Sequence, residues 1–309
     1  MPRTQPLPAP HSELWVLSHT DLDDLGVSYQ RVLEIVQHAF VALREGDSHN
    51  PLKTIVQPAD QRSIAYSMVG RDAASETLGF KMVYEFDPRR TRNAYRFHSF
   101  IFLCDDVTGQ PIALMDVVKL GPLRTSATSA LMARAAHPQA RSALVVGTGV
   151  QGRIALPMLL AALPGLERLM VYGQHPAGLL AVQDEVRRLH PQRQVEIVTD
   201  LEAAAGQADI VIGAAGLSAR QPVRRAWLKP GAVAVLPLSQ VVAGITVRYG
   251  ASLPISASFT PSTLRKSSML RSIGNVGFCG LCEALGDVAR PLSKPLFGAS
   301  AICGFSSRG

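Results

Sequence analysis

Three glycines near the middle of the chain have the spacing G-x-G-x-x-G, which is typical of turns that hold a dinucleotide. Gly147, Gly149 and Gly152 follow the apolar segment SALVV and open a helix-forming segment. The first glycine permits a tight turn, the second lets the backbone approach a pyrophosphate, and the third allows close packing of helix on strand. The N–H groups at the helix start would then face the phosphates. We predict a dinucleotide site here, with a purely structural glycine turn as the alternative.

The end of the next predicted strand bears on which nicotinamide nucleotide is bound. An acidic residue at that position commonly holds the ribose hydroxyls of NAD. This strand instead ends in Tyr172, Gly173, Gln174 and His175, without an acid. The choice between NAD and NADP therefore stays open. His175 is either a neighbour of a 2′-phosphate or an ordinary loop histidine.

The elements before the glycine motif predict an α+β domain. Residues 27–46 carry a broad apolar face and end at a glycine, which indicates an amphipathic helix. Four later segments have the composition of strands, and the turn residues DDVTGQ between the last two predict a hairpin. These segments are residues 62–69, 77–86, 96–104 and 111–120. One helix with several antiparallel strands is typical of an α+β arrangement.

From about residue 125 predicted helices and buried strands alternate. The predicted helices are residues 126–136, 151–163 and 177–190, and the predicted strands are residues 142–146, 167–173, 195–199 and 208–216. Such alternation predicts right-handed crossovers and a parallel sheet. The expected fold class is therefore α/β, with a Rossmann-type doubly wound parallel sheet plus an α+β domain. We place the α+β domain at residues 1–125 and the dinucleotide-binding domain at residues 126–309.

Composition disfavours several other classes of protein. A chain of 309 residues exceeds the size of one hydrophobic core, and 47% hydrophobic with 18% charged residues indicates a globular protein. The net charge of +7 comes from scattered basic residues, so we expect no nucleic acid partner. The sequence has no run of 18 apolar residues, so we predict no membrane span. The first residues lack the apolar core of a secretory signal. We expect a cytoplasmic protein that binds neither membrane nor metal.

The cysteines support the expectation about metals. Cys279 and Cys282 form a C-x-x-C pair, but no histidine lies after His190 and no second pair accompanies them. A zinc site usually needs such further ligands. We therefore predict ordinary reduced thiols.

Four motifs, in this order, resemble the ornithine cyclodeaminase and mu-crystallin family. They are GFKMV at residues 79–83, TGQP at residues 108–111, LRTSA at residues 123–127 and GTGVQ at residues 147–151. The resemblance covers roughly residues 15 to 235. An Arg-Thr helix start followed by G-x-G-x-Q is its most specific part.

The resemblance implies hydride transfer, with NAD or NADP, at the α-carbon of an amino acid through an imine, or reduction of a ready-made imine. Members include ornithine cyclodeaminase, alanine dehydrogenases and reductases of cyclic ketimines. They are typically homodimers joined through the first domain, which implies that residues 1–125 bind substrate and form the dimer. A binding protein that keeps the cofactor without useful turnover, as among mu-crystallin-like members, is the alternative.

The resemblance also assigns site residues. Lys81 matches a lysine that contacts the substrate carboxylate near the reacting nitrogen, and Arg124 matches an arginine beside nicotinamide and substrate. Lys53 stands where the family usually has another carboxylate-binding arginine. For the cofactor the matching positions are Thr125, Gly147, Gly149, Val150, Gln151, Gly152, Gly173 and Ala215. Lys81 interrupts the apolar run GFKMVYEF, where a charge needs a partner, and this favours a functional role over the simpler interpretation of an exposed lysine at a strand edge.

The sequence departs from the family pattern in its last third. The small residues 213–216 replace a threonine beside the cofactor, and residues 237–268 contain no acid where the family has an acid/base aspartate. Beyond Leu281–Val288 we find no candidate for the last helix of the family. Either the chain belongs to a diverged subfamily that uses Lys81 and water for proton transfer, or the reading frame shifts after about Leu236. Without the aspartate, reduction of a cyclic imine ranks ahead of ornithine cyclodeamination.

Overall fold

The computed structural model describes residues 14–23, 26–59, 62–86, 97–215 and 223–235. These residues form a seven-stranded mixed sheet and a five-stranded parallel sheet, with helices packed between and around them. The α/β fold class predicted from the sequence, including the Rossmann-type sheet, is confirmed. Residues 237–309, with the predicted helix at Leu281–Val288 and the C-x-x-C pair, lie outside the described residues.

The N-terminal sheet has the strand order β1-β7-β6-β5-β4-β2, with β3 also paired to β4. Strand β1 is parallel to β7, and the other pairs are antiparallel. The strands are β1 Trp15–Leu17, β2 Ser48–His49, β3 Thr54–Val56, β4 Ser63–Asp72, β5 Thr77–Phe86, β6 Phe97–Asp105 and β7 Pro111–Asp116. The predicted strand at residues 77–86 has these same bounds in the structure.

The predicted hairpin of β6 and β7 is present, and its turn is held by one carboxylate. Asp105 Oδ1 accepts hydrogen bonds from the backbone N–H groups of Val107 and Thr108 at 3.0 and 2.8 Å. Gly109 completes the turn with a φ of +73°, a conformation that glycine adopts at little cost. The TGQP motif therefore forms the hairpin turn, as the sequence predicted.

The fourth predicted strand, residues 111–120, is too long by four residues. Strand β7 ends at Asp116, whose Oδ1 accepts a hydrogen bond from Val118 N at 3.1 Å and so turns the chain. The N–H of Gly121 then donates to the carbonyl of Val117 at 3.1 Å. Helix α3 consequently begins at Leu120, six residues before the predicted start.

Helix α2, Tyr29–Glu45, has a clear start and a clear end. The Ser28 side chain accepts a hydrogen bond from Arg31 N, and Gly46 ends the helix with a φ of +87°. Its buried face packs against α3 and α4. That face consists of Val32, Leu33, Ile35, Val36, Ala39 and Ala42. Helix α1, His19–Asp23, lies just before it in the chain.

The second sheet has the order β10-β9-β8-β11-β12, and every pair is parallel. Its strands are β8 Ser142–Val146, β9 Arg168–Tyr172, β10 Val195–Ile197, β11 Ile210–Gly213 and β12 Val233–Val235. The accompanying helices are α3 Leu120–Ala136, α4 Val150–Ala162, α5 Pro176–Leu189 and α6 Leu201–Gln207. The motif of three glycines lies between β8 and α4, as predicted.

One buried cluster joins side chains of α2, α3, α4 and the second sheet. Within it Leu33 of α2, Ala130 of α3 and Leu156 of α4 are almost fully withdrawn from solvent. Burial of apolar side chains at about 25 cal/mol per Å² makes such a cluster a major source of stability. The predicted boundary between residues 125 and 126 falls inside the continuous helix α3, and the division into two domains stays a prediction.

Candidate active site

The turn after β8 has a backbone shape that only glycine accommodates at two positions. Gly147 has a φ of +113°, and a Cβ added to it would collide with the backbone of Ala214 and Ala215. A Cβ on Gly152 would collide with the carbonyl oxygen of Gly147. Close packing at these two positions matches the structural roles of the first and third glycines of the motif.

Gly149 differs from its two neighbours in the motif. A Cβ added there would meet no atom within 4 Å, so the backbone at this glycine borders open space. Gly149 also caps helix α4, and no side chain caps the first turn of that helix. The first N–H groups of a helix have no partner within the helix, so this end can receive a phosphate. Val150, at the first position of α4, is 63% exposed beside it.

Gln151 ties the glycine turn to helix α3. Its Oε1 accepts a hydrogen bond from the Ser126 hydroxyl at 3.1 Å. The two side chains line a small cavity together with residues of α3, α4 and β11, among them Ser129 and Ala214. The hydrogen bond fixes the first turn of α4 against α3, so the glycine turn and the Arg-Thr motif lie side by side.

The end of β9 packs against the same turn. A Cβ on Gly173 would lie 2.6 Å from Cγ2 of Thr148, and Gly178 faces the same side chain at a similarly close approach. Thr125 lies on α3, where its hydroxyl donates to the carbonyl of Gly121 at 2.9 Å. Of the eight cofactor positions predicted from the sequence, seven follow the ends of β8, β9 and β11 or lie in the first turn of α4, and Thr125 lies in the second turn of α3.

Lys81 is buried near the middle of the N-terminal sheet. It lies on β5 between Met68 of β4 and Ile101 of β6, and it is 5% exposed. The simpler interpretation, an exposed lysine at a strand edge, is therefore wrong. The Nζ atom lies 3.8 Å from the position of a Cβ added to Gly121, so the ammonium group reaches the first turn of α3.

Arg124 lies one turn further along α3 and is half-buried. Burial lowers the pKa of its guanidinium from the ordinary value, and no neighbouring acid acts on it within the described part of the chain. An arginine keeps its charge at any physiological pH, so a desolvated guanidinium without an acidic neighbour favours an anionic ligand.

Lys53 lies just before β3, and its Nζ is 4.5 Å from the centre of the Tyr66 ring. Tyr66 pairs with Val83, two residues along β5 from Lys81 on the same face of the sheet. Burial raises the pKa of Tyr66, and the charge of Glu85 adds to the increase, so the ring stays neutral under the lysine. The structure therefore brings Lys53 to the face that carries Lys81.

Two polar side chains at this end of the sheet were missed by the sequence analysis. The Ser99 hydroxyl on β6 and the side-chain amide of Asn50 are buried and have no hydrogen-bond partner among the described residues. Ser99 was detectable in the sequence, because it occupies an inward position in the alternating run FHSFIFLC. Asn50 lies three residues before Lys53 in a stretch without regular structure and carries no comparable signal.

Residues 237–268, where the family pattern has its aspartate, lie outside the described residues. Of residues 213–216, which replace the family threonine, the structure describes 213–215. In the described ranges no cluster of three or more His, Cys, Asp or Glu side chains could hold a metal ion. Among the helices in those ranges, none combines the length and apolar character that a bilayer crossing requires.

The five-stranded parallel sheet with a glycine turn at its carboxyl edge defines a protein of the Rossmann class. The buried Lys81 reaches the first turn of α3, and the half-buried Arg124 lies on the same helix, which contacts the glycine turn through Ser126. The family model of the ornithine cyclodeaminase/mu-crystallin family matches residues 15–240. The chain belongs to this family, as the four sequence motifs predicted.

Two relatives and one solved structure are similar to this chain. A Delta(1)-pyrroline-2-carboxylate reductase of Paracoccus denitrificans is 34% identical over 170 residues, which are 53% of this chain and 52% of the relative. The chain thus spans about half the length of that reductase. An ornithine cyclodeaminase of Agrobacterium fabrum is 30% identical over 43% of this chain and 37% of the relative.

A solved structure supports the same assignment. The Delta(1)-pyrroline-2-carboxylate reductase of Thermococcus litoralis, in complex with NADH and L-proline, superimposes with a TM-score of 0.63. Its sequence identity is 27%, and the match covers 72% of this chain and 68% of that chain. The two chains therefore share the fold over about 72% of this chain.

Proposed function

We propose that the chain is an NAD- or NADP-dependent oxidoreductase that acts at the α-carbon of an amino acid or its cyclic imine. Reduction of a preformed cyclic imine ranks ahead of ornithine cyclodeamination. One observation carries the proposal: the buried ammonium of Lys81 reaches the first turn of α3, the helix that also carries Arg124 and contacts Gln151 of the glycine turn through Ser126. The reductases among its relatives support the proposal.

The residues around the glycine turn fit a dinucleotide. Gly149 leaves room at the start of α4, where a pyrophosphate could lie against the free N–H groups. Gly147, Val150, Gln151 and Gly152 would hold that group, and Gly173 and Ala215 border it. Thr125 would face the nicotinamide end from α3. The bound cofactor supplies or accepts the hydride; the groups around the substrate come from this chain.

The cationic side chains would hold and orient the substrate. Arg124 can grip a carboxylate with two parallel hydrogen bonds, while Lys81 and Lys53 act as less directional charges. Because Lys81 is buried, its attraction for a carboxylate is screened little by solvent. This arrangement would place the α-carbon of an amino or imino acid next to α3.

Reduction of an imine also requires a proton at the nitrogen. Lys81 is a candidate donor, because a desolvated ammonium releases its proton more readily than one in water. Water would then restore the proton to the amine of Lys81. The stretch without acids at residues 237–268 favours this route over one that uses an aspartate.

We further propose that the protein is a homodimer joined through the N-terminal sheet. The face of this sheet opposite Lys81 carries large apolar side chains that are 37% to 71% exposed. These side chains are Val16, Phe80, Met82, Tyr84, Phe100 and Leu114. A contiguous apolar face of this kind is typical of a protein interface, and a second copy would cover it. The cytoplasm stays the predicted location.

A replacement on this face tests the dimer. We expect Met82→Lys to shift the mass measured by light scattering from that of two chains to that of one. Leu180→Lys is the matched control, because Leu180 is exposed on α5, away from the sheet. A monomeric unsubstituted protein, or an unchanged mass for Met82→Lys, would contradict this interface.

Cofactor titration tests the main proposal. NADH and NADPH are added separately while nicotinamide fluorescence is followed, and Δ1-pyrroline-2-carboxylate is then supplied as substrate. We expect saturable binding followed by oxidation of the nucleotide. A mu-crystallin-like binding protein is the second candidate, because residues 237–268 contain no acid. This candidate would be favoured if the nucleotide binds but a panel of cyclic imines or α-imino acids does not oxidise it.

A further inference from the structure

Ser99 lies next to Lys81 on the buried face of the N-terminal sheet. Lys81 pairs with Ile101, and Val83 pairs with Ser99, so Ser99 and Lys81 are diagonal neighbours on adjacent strands. Side chains in this relation are close enough to act on one ligand. Ser99 is 3% exposed, and its hydroxyl has no hydrogen-bond partner in the described part of the structure.

Backbone hydrogen bonds place Ser99 near the start of α3. The carbonyl of Ser99 accepts a hydrogen bond from Val117 N at 2.8 Å, and the carbonyl of Val117 accepts one from Gly121 N at 3.1 Å. Gly121 is also the residue that the Lys81 ammonium approaches. The Lys81 ammonium thus approaches the turn of α3 to which the backbone of Ser99 is linked through Val117, and Arg124 follows on that helix.

A hydroxyl in this position is unfavourable unless something binds it. A buried donor without a partner destabilises a fold, and most buried polar atoms in proteins have one. The other inward side chains of β6, Ile101 and Leu103, are apolar and completely buried. Alanine at position 99 would continue that pattern without the cost of an unpaired hydroxyl.

We propose that the Ser99 hydroxyl donates a hydrogen bond to the carboxylate of the bound amino or imino acid, beside the charge of Lys81. This role rests on the function proposed above and adds a specificity residue to it. The hydroxyl is shielded from solvent, so the substrate reaches it by displacing side chains that cover the sheet. Because its acceptor is the substrate carboxylate, the hydrogen bond contributes to the affinity for substrate and not to the affinity for nucleotide.

The test compares Ser99→Ala with Ser142→Ala. Ser142 is also buried, but its hydroxyl has partners: it accepts from Asp209 N at 3.0 Å and can donate either to the carbonyl of Gln207 at 3.1 Å or to Asp209 Oδ2 at 3.0 Å. For each variant we measure KM for Δ1-pyrroline-2-carboxylate, the Kd of L-proline in the presence of nucleotide, the Kd of NADPH and the melting temperature.

For Ser99→Ala we expect KM and the proline Kd to rise about tenfold to a hundredfold, the range for a lost hydrogen bond to a charged group. The NADPH Kd should stay the same, and the melting temperature of the protein without ligands should stay the same or rise. Ser142→Ala should lower the melting temperature and leave KM unchanged.

Two negative results have different meanings. If the unsubstituted protein reduces the imine while Ser99→Ala keeps its KM and proline Kd, the role of Ser99 is refuted and the proposed function stands. If the unsubstituted protein neither oxidises NADPH or NADH nor binds L-proline, the proposed function is refuted, and the role of Ser99 falls with it. A lower melting temperature with unchanged substrate affinity would make Ser99 a structural residue.

Discussion

Gly149 offers a way to test the glycine turn without disturbing the fold. Its φ of −73° and ψ of −168° suit any amino acid, and the space around its missing Cβ is open. Alanine is a poorer helix cap than glycine, which costs a few tenths to about 1 kcal/mol. The lower entropy of the unfolded chain offsets this by about 0.4–1 kcal/mol. We therefore expect Gly149→Ala to change the free energy of unfolding by less than about 1 kcal/mol.

The same substitution should weaken nucleotide binding. The added methyl group would occupy the space next to the first N–H groups of α4, where we propose that the pyrophosphate lies. Losing one hydrogen bond to a charged group costs about 1.5–3 kcal/mol. The Kd for NADH or NADPH, measured by nicotinamide fluorescence, should consequently rise by roughly tenfold to a hundredfold.

Gly147→Ala is the matched control. At a φ of +113° an alanine is strained by about 1–3 kcal/mol, and its Cβ would also collide with Ala214 and Ala215. We expect a loss of roughly 3 kcal/mol or more in stability, seen as a melting temperature lower by about 6 °C or more. If Gly149→Ala binds both nucleotides as tightly as the unsubstituted protein, the pyrophosphate does not lie at this turn and the reasoning is refuted.

Three further substitutions test the charged groups. Arg124→Lys should raise KM for the imine about tenfold or more, because lysine cannot make the bidentate contact, and steady-state kinetics with an unchanged NADPH Kd would check this. Lys81→Met keeps most of the unbranched side chain but removes the ammonium group, so we expect kcat/KM to fall about a hundredfold or more while circular dichroism stays the same; retained activity would exclude Lys81 as clamp and proton donor. Burial alone raises the pKa of Asp209, but hydrogen bonds from Lys229, the Arg141 N–H and Ser142 outweigh it and hold the pKa well below the usual range. A lowered pKa in the folded state stabilises the protein above the unfolded value of about 4, and this contribution is lost as the pH falls below that value. Urea titrations should therefore show Asp209→Asn less stable by about 1–3 kcal/mol at pH 7, with a difference that narrows from pH 4 downward; a difference independent of pH would contradict this assignment.

The sequence predicted most reliably the elements whose residues follow one regular pattern. Strand β5 alternates buried or half-buried with exposed residues from Gly79 to Tyr84, and both ends of the strand were predicted. The start of α3 was predicted too late, because Val117 and Val118 continue the apolar pattern of β7 while the Asp116 side chain turns the chain. Such a side-chain hydrogen bond depends on local geometry that residue patterns do not contain.

The candidate site, like the fold, was only partly predictable from the sequence. The glycine spacing predicted the turn and its neighbours, because Gly147 and Gly152 are required by the local backbone and Gly149 leaves open space at the start of α4. The convergence of Lys81 on Gly121 depends on how the sheet packs against α3, and forty residues separate the two in the sequence. The resemblance to a family supplied Lys81 and Arg124, while Ser99 became visible through its burial and its unpaired hydroxyl.

The continuous course of α3 has a consequence for how such enzymes change substrate. Arg124, Thr125 and Ser126 are consecutive on this helix. Ser126 contacts Gln151 of the glycine turn. In the proposed arrangement, Arg124 faces the substrate and Thr125 faces the nicotinamide. Successive residues of an α-helix are related by a fixed rise of about 1.5 Å and a turn of about 100°. In the proposed arrangement, the relative positions of the residues that would face substrate, nicotinamide and glycine turn are thus set by helix geometry and not by a flexible connection. Substitutions on the strands would then reshape the proposed substrate site without moving these three residues relative to one another.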